Sequence, residues 1–183
     1  MTVGVLALQG AVSEHIAALQ ALGADAQEVR TPAELEGLTG LILPGGESTA
    51  IRKLLVREAM LNPLRQMVAG GLPVFGTCAG MVLLAQEDGL DALPAVVQRN
   101  GFGRQRDSFE TALNVAGFTE PFHAVFIRAP YYESVGLNVK VLATVGDEAR
   151  IVAASYRNVL VTAFHPELTG DLRFHQQFLN MIK

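Results

Sequence analysis

Three short apolar runs, each followed at once by a glycine-bearing turn, restrict what this chain can fold into. Val3-Gly4-Val5-Leu6-Ala7-Leu8 ends at Gln9-Gly10, and Gly40-Leu41-Ile42-Leu43 ends at Pro44-Gly45-Gly46. Pro73-Val74-Phe75-Gly76 leads into Thr77-Cys78-Ala79-Gly80. A strand that is apolar at nearly every position is covered on both faces, the condition of a parallel strand in an α/β sheet. Helical patterns lie between the runs. Ile16, Leu19 and Leu22 recur at helical spacing before Gly23, and Thr31-Pro32-Ala33-Glu34 carries the cap, proline and acid that open a helix. Further helices are expected from Ser48 to about Ala59, from an Asn62-Pro63 cap to Gly70-Gly71, and from near Ala79. Strands alternating with helices through short Gly-rich links predict a parallel sheet with helices on both faces.

The second half changes character. Phe109–Val115, Ala124–Ile127, Val139–Val145, Ile151–Tyr156 and Val159–Phe164 read as successive strands, with Arg157-Asn158 as a hairpin turn, before a last helix from about Asp171 to Ile182. The expected fold class is α/β: a three-layer αβα, flavodoxin-like arrangement whose mixed, mostly parallel sheet gains an antiparallel extension. With no repeat or linker-like tract, residues 1–183 read as one domain.

Composition removes several function classes. Half of the 183 residues are hydrophobic and only 17% are charged, which excludes a disordered chain. A net charge of −4 argues against nucleic acid or an anionic membrane as a partner held by bulk electrostatics. The stretch from Gln66 to Gln86 is free of charge, but Gly70, Gly71, Pro73, Gly76 and Gly80 divide it into helix, strand and helix. A single cysteine rules out an internal disulfide and any multi-thiolate metal site. Met1-Thr2-Val3-Gly4 lacks the basic start of a secretory signal, so a reducing cytoplasm is the expected location.

That cysteine sits in Gly76-Thr77-Cys78-Ala79-Gly80, between an apolar strand and an apolar helix, where a sharp turn lifts a nucleophile into view. Glycines two before and two after are wanted because strand and helix approach too closely there for a Cβ. The helix start also favours the thiolate. A buried, inert cysteine is the competing reading, and the glycine-flanked strand-turn-helix setting weighs against it. Of the four histidines, His15 reads as part of a solvated helix face, His123 as a loop or strand start, and His175 as a member of the last helix. His165 ends a buried strand, where α/β active sites gather, and Pro166 keeps the chain extended enough for Glu167 to project to the same side. Alone this would be a surface turn; with the cysteine it forms a Cys78, His165, Glu167 triad. Gly45-Gly46 after the second strand exposes N–H groups that, with Ala79 N–H, could face an oxyanion, while Ser48 could cap the next helix. The spacing matches neither a Walker loop nor G-x-G-x-x-G.

Pro44-Gly45-Gly46-Glu47-Ser48-Thr49, Gly76-Thr77-Cys78-Ala79-Gly80 and Phe164-His165-Pro166-Glu167-Leu168 resemble the triad-type, class I glutamine amidotransferases. Leu8-Gln9-Gly10-Ala11-Val12, Arg99-Asn100-Gly101-Phe102-Gly103-Arg104-Gln105 and Phe126-Ile127-Arg128-Ala129-Pro130 are similar, more narrowly, to the glutaminase subunits of pyridoxal 5′-phosphate synthases. The resemblance implies hydrolysis of L-glutamine to glutamate and ammonia through a thioester on Cys78, with Gly46 and Ala79 N–H groups as the oxyanion hole. It assigns glutamine binding to Gly46, Glu47, Ser48, Arg99, Ile127 and Arg128, where Arg99 or Arg128 would meet the carboxylate and Glu47 the ammonium. No cofactor or metal is implied. The implied partner is a synthase subunit that uses the ammonia, with the Gln9-Gly10 loop on its side, and weak activity is expected of the isolated chain. Two alternatives compete: the glutaminase of another amidotransferase, such as imidazole glycerol phosphate synthase, and a non-catalytic flavodoxin-like binding or chaperone protein.

Overall fold

A computed structural model describes residues 1–102 and 108–182. The first half runs β1 (Thr2–Leu6), α1 (Val12–Ala21), β2 (Asp25–Val29), β3 (Gly40–Leu43), α2 (Ser48–Arg57), α3 (Leu61–Ala69), β4 (Val74–Thr77) and α4 (Ala79–Ala85). The second half continues with β5 (Ala95–Gln98), β6 (Ser108–Leu113), β7 (Phe122–Ile127), β8 (Tyr131–Val135), β9 (Lys140–Val145), β10 (Arg150–Tyr156), β11 (Val159–Thr162) and α5 (Arg173–Leu179). The main sheet has the order β2-β1-β3-β4-β11-β10-β8-β5, with β9 also paired to β10. Strands β2, β1, β3, β4 and β11 are parallel, and everything beyond β11 is antiparallel. This is the expected three-layer α/β fold with its antiparallel extension. Strands β6 and β7 form a separate hairpin.

The three apolar runs became β1, β3 and β4, and every residue of β3 and β4 is buried. Alternation along β4 sorts the helices onto the two faces. Phe75 packs on Phe174 and Phe178 of α5 and on His15 of α1, whereas Gly76 turns the other way, onto Gly80 and Leu84 of α4. Helices α2 and α3 join α4 on that second side. Phe122 and Phe126 of the hairpin pack on Phe164, and Phe122 also meets Phe174, mostly in tilted or edge-to-face contacts that suit the quadrupoles of the rings.

Four local expectations need correction. Thr31-Pro32-Ala33-Glu34 opens only one 3-10 turn, Pro32–Leu35, because Glu36 returns to extended backbone. The Glu34 carboxylate still accepts the N–H groups of Arg30 (2.6 Å) and Thr31 (2.9 Å), so the cap forms without a helix behind it. Helix α3 starts two residues early, with buried Met60 as its cap, and Pro63 falls in the first turn, where a missing N–H costs no helical bond. The last helix is shorter than expected, Arg173–Leu179. Strands β2, β5 and β8 lacked a clear pattern: β2 is a mostly exposed edge, and β5 and β8 pair at the opposite end of the sheet. The Arg157-Asn158 hairpin is as read, with Tyr156 opposite Val159 and Arg157 at φ +51°. Among the described residues no helix is long and apolar enough to cross a membrane.

Gly80 tests the close approach of α4 to β3. A Cβ there would overlap the Leu43 carbonyl oxygen, a backbone atom with little room to give. Gly80→Ala is expected to lower unfolding stability by about 1–3 kcal/mol, measured by urea denaturation.

Candidate active site

Cys78 occupies the turn from β4 into α4 with φ +49° and ψ −103°, a conformation that side chains rarely adopt. Backbone contacts on both sides hold it there. Its N–H donates to the Thr162 carbonyl (2.8 Å) and its own carbonyl accepts from Val82 N–H (3.3 Å). A Cβ on Gly76 would stand 2.7 Å from the Gly80 carbonyl carbon, so the flanking glycines are needed for the reason the sequence suggests. The Cys78 thiol lies 3.9 Å from the Ile127 carbonyl at the end of β7.

His165 follows β11, and its N–H donates to the Val125 carbonyl of β7 at 2.9 Å, which ties the loop to the hairpin. Its ring stands beside Cys78 against Gly45, and both line the same cavity. Its Nδ1 is 2.6 Å from Glu167 Oε1, with both residues buried. Burial works against charge on the imidazole, but the hydrogen bonds and negative charge of Cys78 and Glu167 outweigh it and raise the pKa to about 10. At neutral pH the ring is therefore an imidazolium held against Glu167.

The glycine pair after β3 lies against this assembly. A Cβ on Gly45 would come 2.5 Å from His165 Cε1 and 3.3 Å from Cys78 Cβ. Gly46 has φ +146°. The loop is held from β1's side: Gln9 Oε1 accepts from Glu47 N–H at 2.8 Å, and any side chain at Gly10 would overlap the Gly45 carbonyl. Glu47, rather than Ser48, caps α2, its carboxylate accepting from Thr49 N–H (3.0 Å) and Ala50 N–H (2.7 Å). The Thr49 and Ala50 bonds hold its pKa below the usual carboxylate range, with exposed Arg99 adding a smaller share. Arg99 Nη2 bonds to Ser48 Oγ and Thr49 Oγ1 (2.7 Å) and reaches Glu47 Oε1 at 3.3 Å, so this arginine braces the start of α2.

A cavity of about 330 Å³ opens above the thiol. Gly46, Glu47, Ser48, Arg99, Ile127 and Arg128 all line it, together with Cys78, Ala79 and His165. The volume is at the small end for a ligand site, the size of a metabolite, and charges of both signs suit a zwitterion. Glu167 lies behind His165, away from the cavity. Arg128 takes φ +43°, and Ala79 is the first residue of α4. Gly103, Arg104 and Gln105 of the sequence motif lie outside the described residues.

Three polar residues near the triad had escaped the sequence reading. His15 is not on a solvated face; it is fully buried, with Nδ1 2.9 Å from His175 Nε2 and Nε2 3.2 Å from Thr77 Oγ1. Its polar neighbours Ser13 and Glu14 misdirected the assignment, and only the packing of α1 on α5 corrects it. His123 is exposed, paired with Glu110 at 2.6 Å on the hairpin. Among the described residues no cluster of metal-ligating side chains occurs.

A strained thiol and a histidine facing a small zwitterion-sized cavity, with a buried carboxylate behind the histidine, are the equipment of an amide-cleaving thiol enzyme. Residues 5–183 match the SNO glutamine amidotransferase family, and the chain belongs to it. It is 55% identical, over the full length of both, to the pyridoxal 5′-phosphate synthase subunit PdxT of Moorella thermoacetica. It is 54% identical to the PdxT of Nocardia farcinica, covering all of this chain and 86% of that one. A crystal structure described as a glutamine amidotransferase superposes with a TM-score of 0.91 at 47% identity, covering 98% of each chain. A structure of PurLQS from Thermotoga maritima shares the fold alone, at a TM-score of 0.72 and 18% identity over 100% of this chain and 99% of that one.

The histidines set a pH dependence with two limbs. Burial and the neighbouring imidazole lower His15, and burial lowers His175 to about 4, so both stay neutral while their unfolded counterparts bind protons below about 6.5. Their contribution to stability is present above about pH 6.5 and is lost as pH falls toward 4. His165 has the opposite sign: its contribution is full below about pH 6.5 and is lost as pH rises through about 10. Urea midpoints measured across pH should fall on the acid side less steeply in His175→Gln than in the parent. The stability gap between parent and His165→Gln should narrow from about pH 7 to 10.

Proposed function

We infer that the chain is a glutaminase subunit. It hydrolyses L-glutamine and passes the ammonia to a synthase partner that builds pyridoxal 5′-phosphate. The observation that carries this reading is Cys78 at its strained turn, sharing with His165 a cavity lined by Glu47, Arg99 and Arg128. The full-length identity to PdxT chains supports the choice of acceptor. The family match over residues 5–183 supports reading 1–183 as one glutaminase domain.

In the first step the Cys78 thiolate attacks the side-chain amide carbon, and the carbonyl oxygen takes the negative charge. Gly46 and Ala79 N–H groups meet that oxyanion, an arrangement usually worth more than any other single term in acyl transfer. The His165 imidazolium gives its proton to the leaving nitrogen, ammonia departs and a thioester remains. His165, now neutral, takes a proton from water as that water attacks the thioester. Collapse of the second oxyanion releases glutamate and restores the thiolate–imidazolium pair. Glu167 holds Nδ1–H throughout, which keeps Nε2 aimed at the sulfur and stabilises the charged ring.

For substrate binding, Arg128 meets the α-carboxylate and Glu47 the α-ammonium. Arg99, engaged with Ser48 and Thr49, fixes the rim on which Glu47 stands. The cavity also explains the need for a partner. Ammonia released into water is largely protonated at neutral pH, and a docked acceptor avoids that loss. The Gln9–Glu47 bond links the outer Gln9-Gly10 loop to the glycine pair at the oxyanion site, so a partner seated on that loop would act on the hole itself. No secretory or membrane role enters this reading, which places the enzyme in the cytoplasm.

The deciding measurement is glutamate release by the purified chain with and without a pyridoxal 5′-phosphate synthase subunit. Release should be weak alone and at least about 10-fold faster with the partner. Cys78→Ala should abolish it, and Arg128→Ala should raise KM for glutamine by roughly 10–100-fold, the scale of a lost charge-assisted bond. Equal rates with and without that synthase, or stimulation by a different synthase, would sink the assignment of acceptor.

A further inference from the structure

The buried carboxylate of Glu167 has two oxygens, and the triad uses one. Oε1 faces His165, whereas Oε2 has no hydrogen-bond partner within normal distance and lies fully inside the protein. Close to it stands His15, whose Nε2 is 3.5 Å away and also 3.2 Å from Thr77 Oγ1. Behind it, His15 Nδ1 meets His175 Nε2 at 2.9 Å, and His175 Nδ1 has no partner. Five residues from four parts of the chain thus form one line: Cys78, His165, Glu167, His15 and His175.

Only one assignment of protons fits that line. His15 and His175 are both held neutral by burial, so each ring carries a single N–H. If His15 carried its proton on Nδ1, His175 Nε2 would have to accept it. His175 would then be left with a buried N–H on Nδ1 without an acceptor. His15 Nε2 would also turn a lone pair toward the Glu167 carboxylate. Both are unfavourable, since an orphaned buried donor costs about 1–3 kcal/mol. With Nε2–H on both rings, His175 donates to His15 Nδ1, and His15 Nε2–H points into the space shared by Thr77 Oγ1 and Glu167 Oε2. On the two rings, the one unmet group is then a lone pair on His175 Nδ1.

We propose that His15 is a positioning residue for the triad: its Nε2–H, fixed by the His175 donor behind it, steadies the second oxygen of Glu167 and so aims His165 at Cys78. This rests on the triad reading given above. The groups facing His15 are His175 from α5, Glu167 and His165 from the loop after β11, and Thr77 from β4. The carboxylate charge is thereby anchored from both ends, and glutamine itself is never touched by His15.

The test uses the assembled synthase, with kcat and KM for glutamine followed across pH in His15→Leu, His15→Gln and Glu167→Gln. Gln carries an N–H close to the place of the imidazole Nε2–H. His15→Leu should lower kcat roughly 10–100-fold, the scale of losing an outer partner of a functional histidine. KM should stay within about twofold, and the acid limb should move up by about half a pH unit, because a carboxylate deprived of a donor becomes more basic. His15→Gln should recover most of the rate and return the limb. A parent-like His15→Leu, or Leu and Gln variants equally slow with an unmoved limb, would overturn the proposal while Glu167→Gln remains impaired and the triad stands. An unimpaired Glu167→Gln would sink both. Nitrogen-15 NMR of the parent chain gives a check free of any folding defect: Nε2–H is expected on His15 and His175, and Nδ1–H on His15 refutes the proposal.

Discussion

Helix α4 is laid so tightly on β3 and β4 that neither Gly76 nor Gly80 has room for a side chain, and the rest of the site follows from that contact. To enter the helix at this distance the chain must reverse within one residue, and Cys78 takes the strain at φ +49°. Such a conformation costs on the order of 1–3 kcal/mol and survives only where its surroundings over-determine it. Here β11 holds the Cys78 N–H and α4 holds the Cys78 carbonyl. The thiol is left at the carboxyl end of the parallel strands, where it borders the cavity beside the start of α4.

Around that fixed point, the other parts arrive from the ends of neighbouring strands. The loop after β1 meets the loop after β3 through Gly10 on Gly45 and Gln9 on Glu47, so the glycine pair is braced before any substrate binds. The loop after β11 brings His165, and the β6–β7 hairpin clamps it by the Val125 carbonyl while Ile127 covers the sulfur. The antiparallel half thus supplies one wall of the cavity and the clamp on His165.

Charge in this site is stabilised by its partners and not by water. His165 is held as an imidazolium beside Glu167 although burial opposes its charge, while His15 and His175, a few ångströms further in, are held neutral by the same burial. The contrast arises because His165 hydrogen-bonds directly to a carboxylate, whereas His15 and His175 have mainly each other. Glu47 belongs to a different class of carboxylate: exposed, held low by the α2 backbone, and available at the rim.

Much of this was legible in the residues themselves. The apolar runs β1, β3 and β4 announce strands covered on both faces, and glycines flanking Cys78 announce a turn too tight for side chains, because both patterns are local. The meeting of His165 and Glu167 beside Cys78 was legible as well, since both stand at the end of a strand. Strands β2, β5 and β8 were not legible. Asp25-Ala26-Gln27-Glu28-Val29 is mostly exposed, and an edge strand with little buried surface carries no apolar signature. His15 was misplaced for a related reason: its neighbours in sequence are polar, but its face of α1 is decided by α5, 160 residues away. By itself the sequence determined the apolar strands and the tight, glycine-flanked turn that carries Cys78, all of which depend on neighbours along the chain. Only the tertiary structure decided which helix face is buried, that Glu47 caps α2, and that two further histidines stand behind Glu167, because each depends on surfaces that meet only when the sheet is assembled.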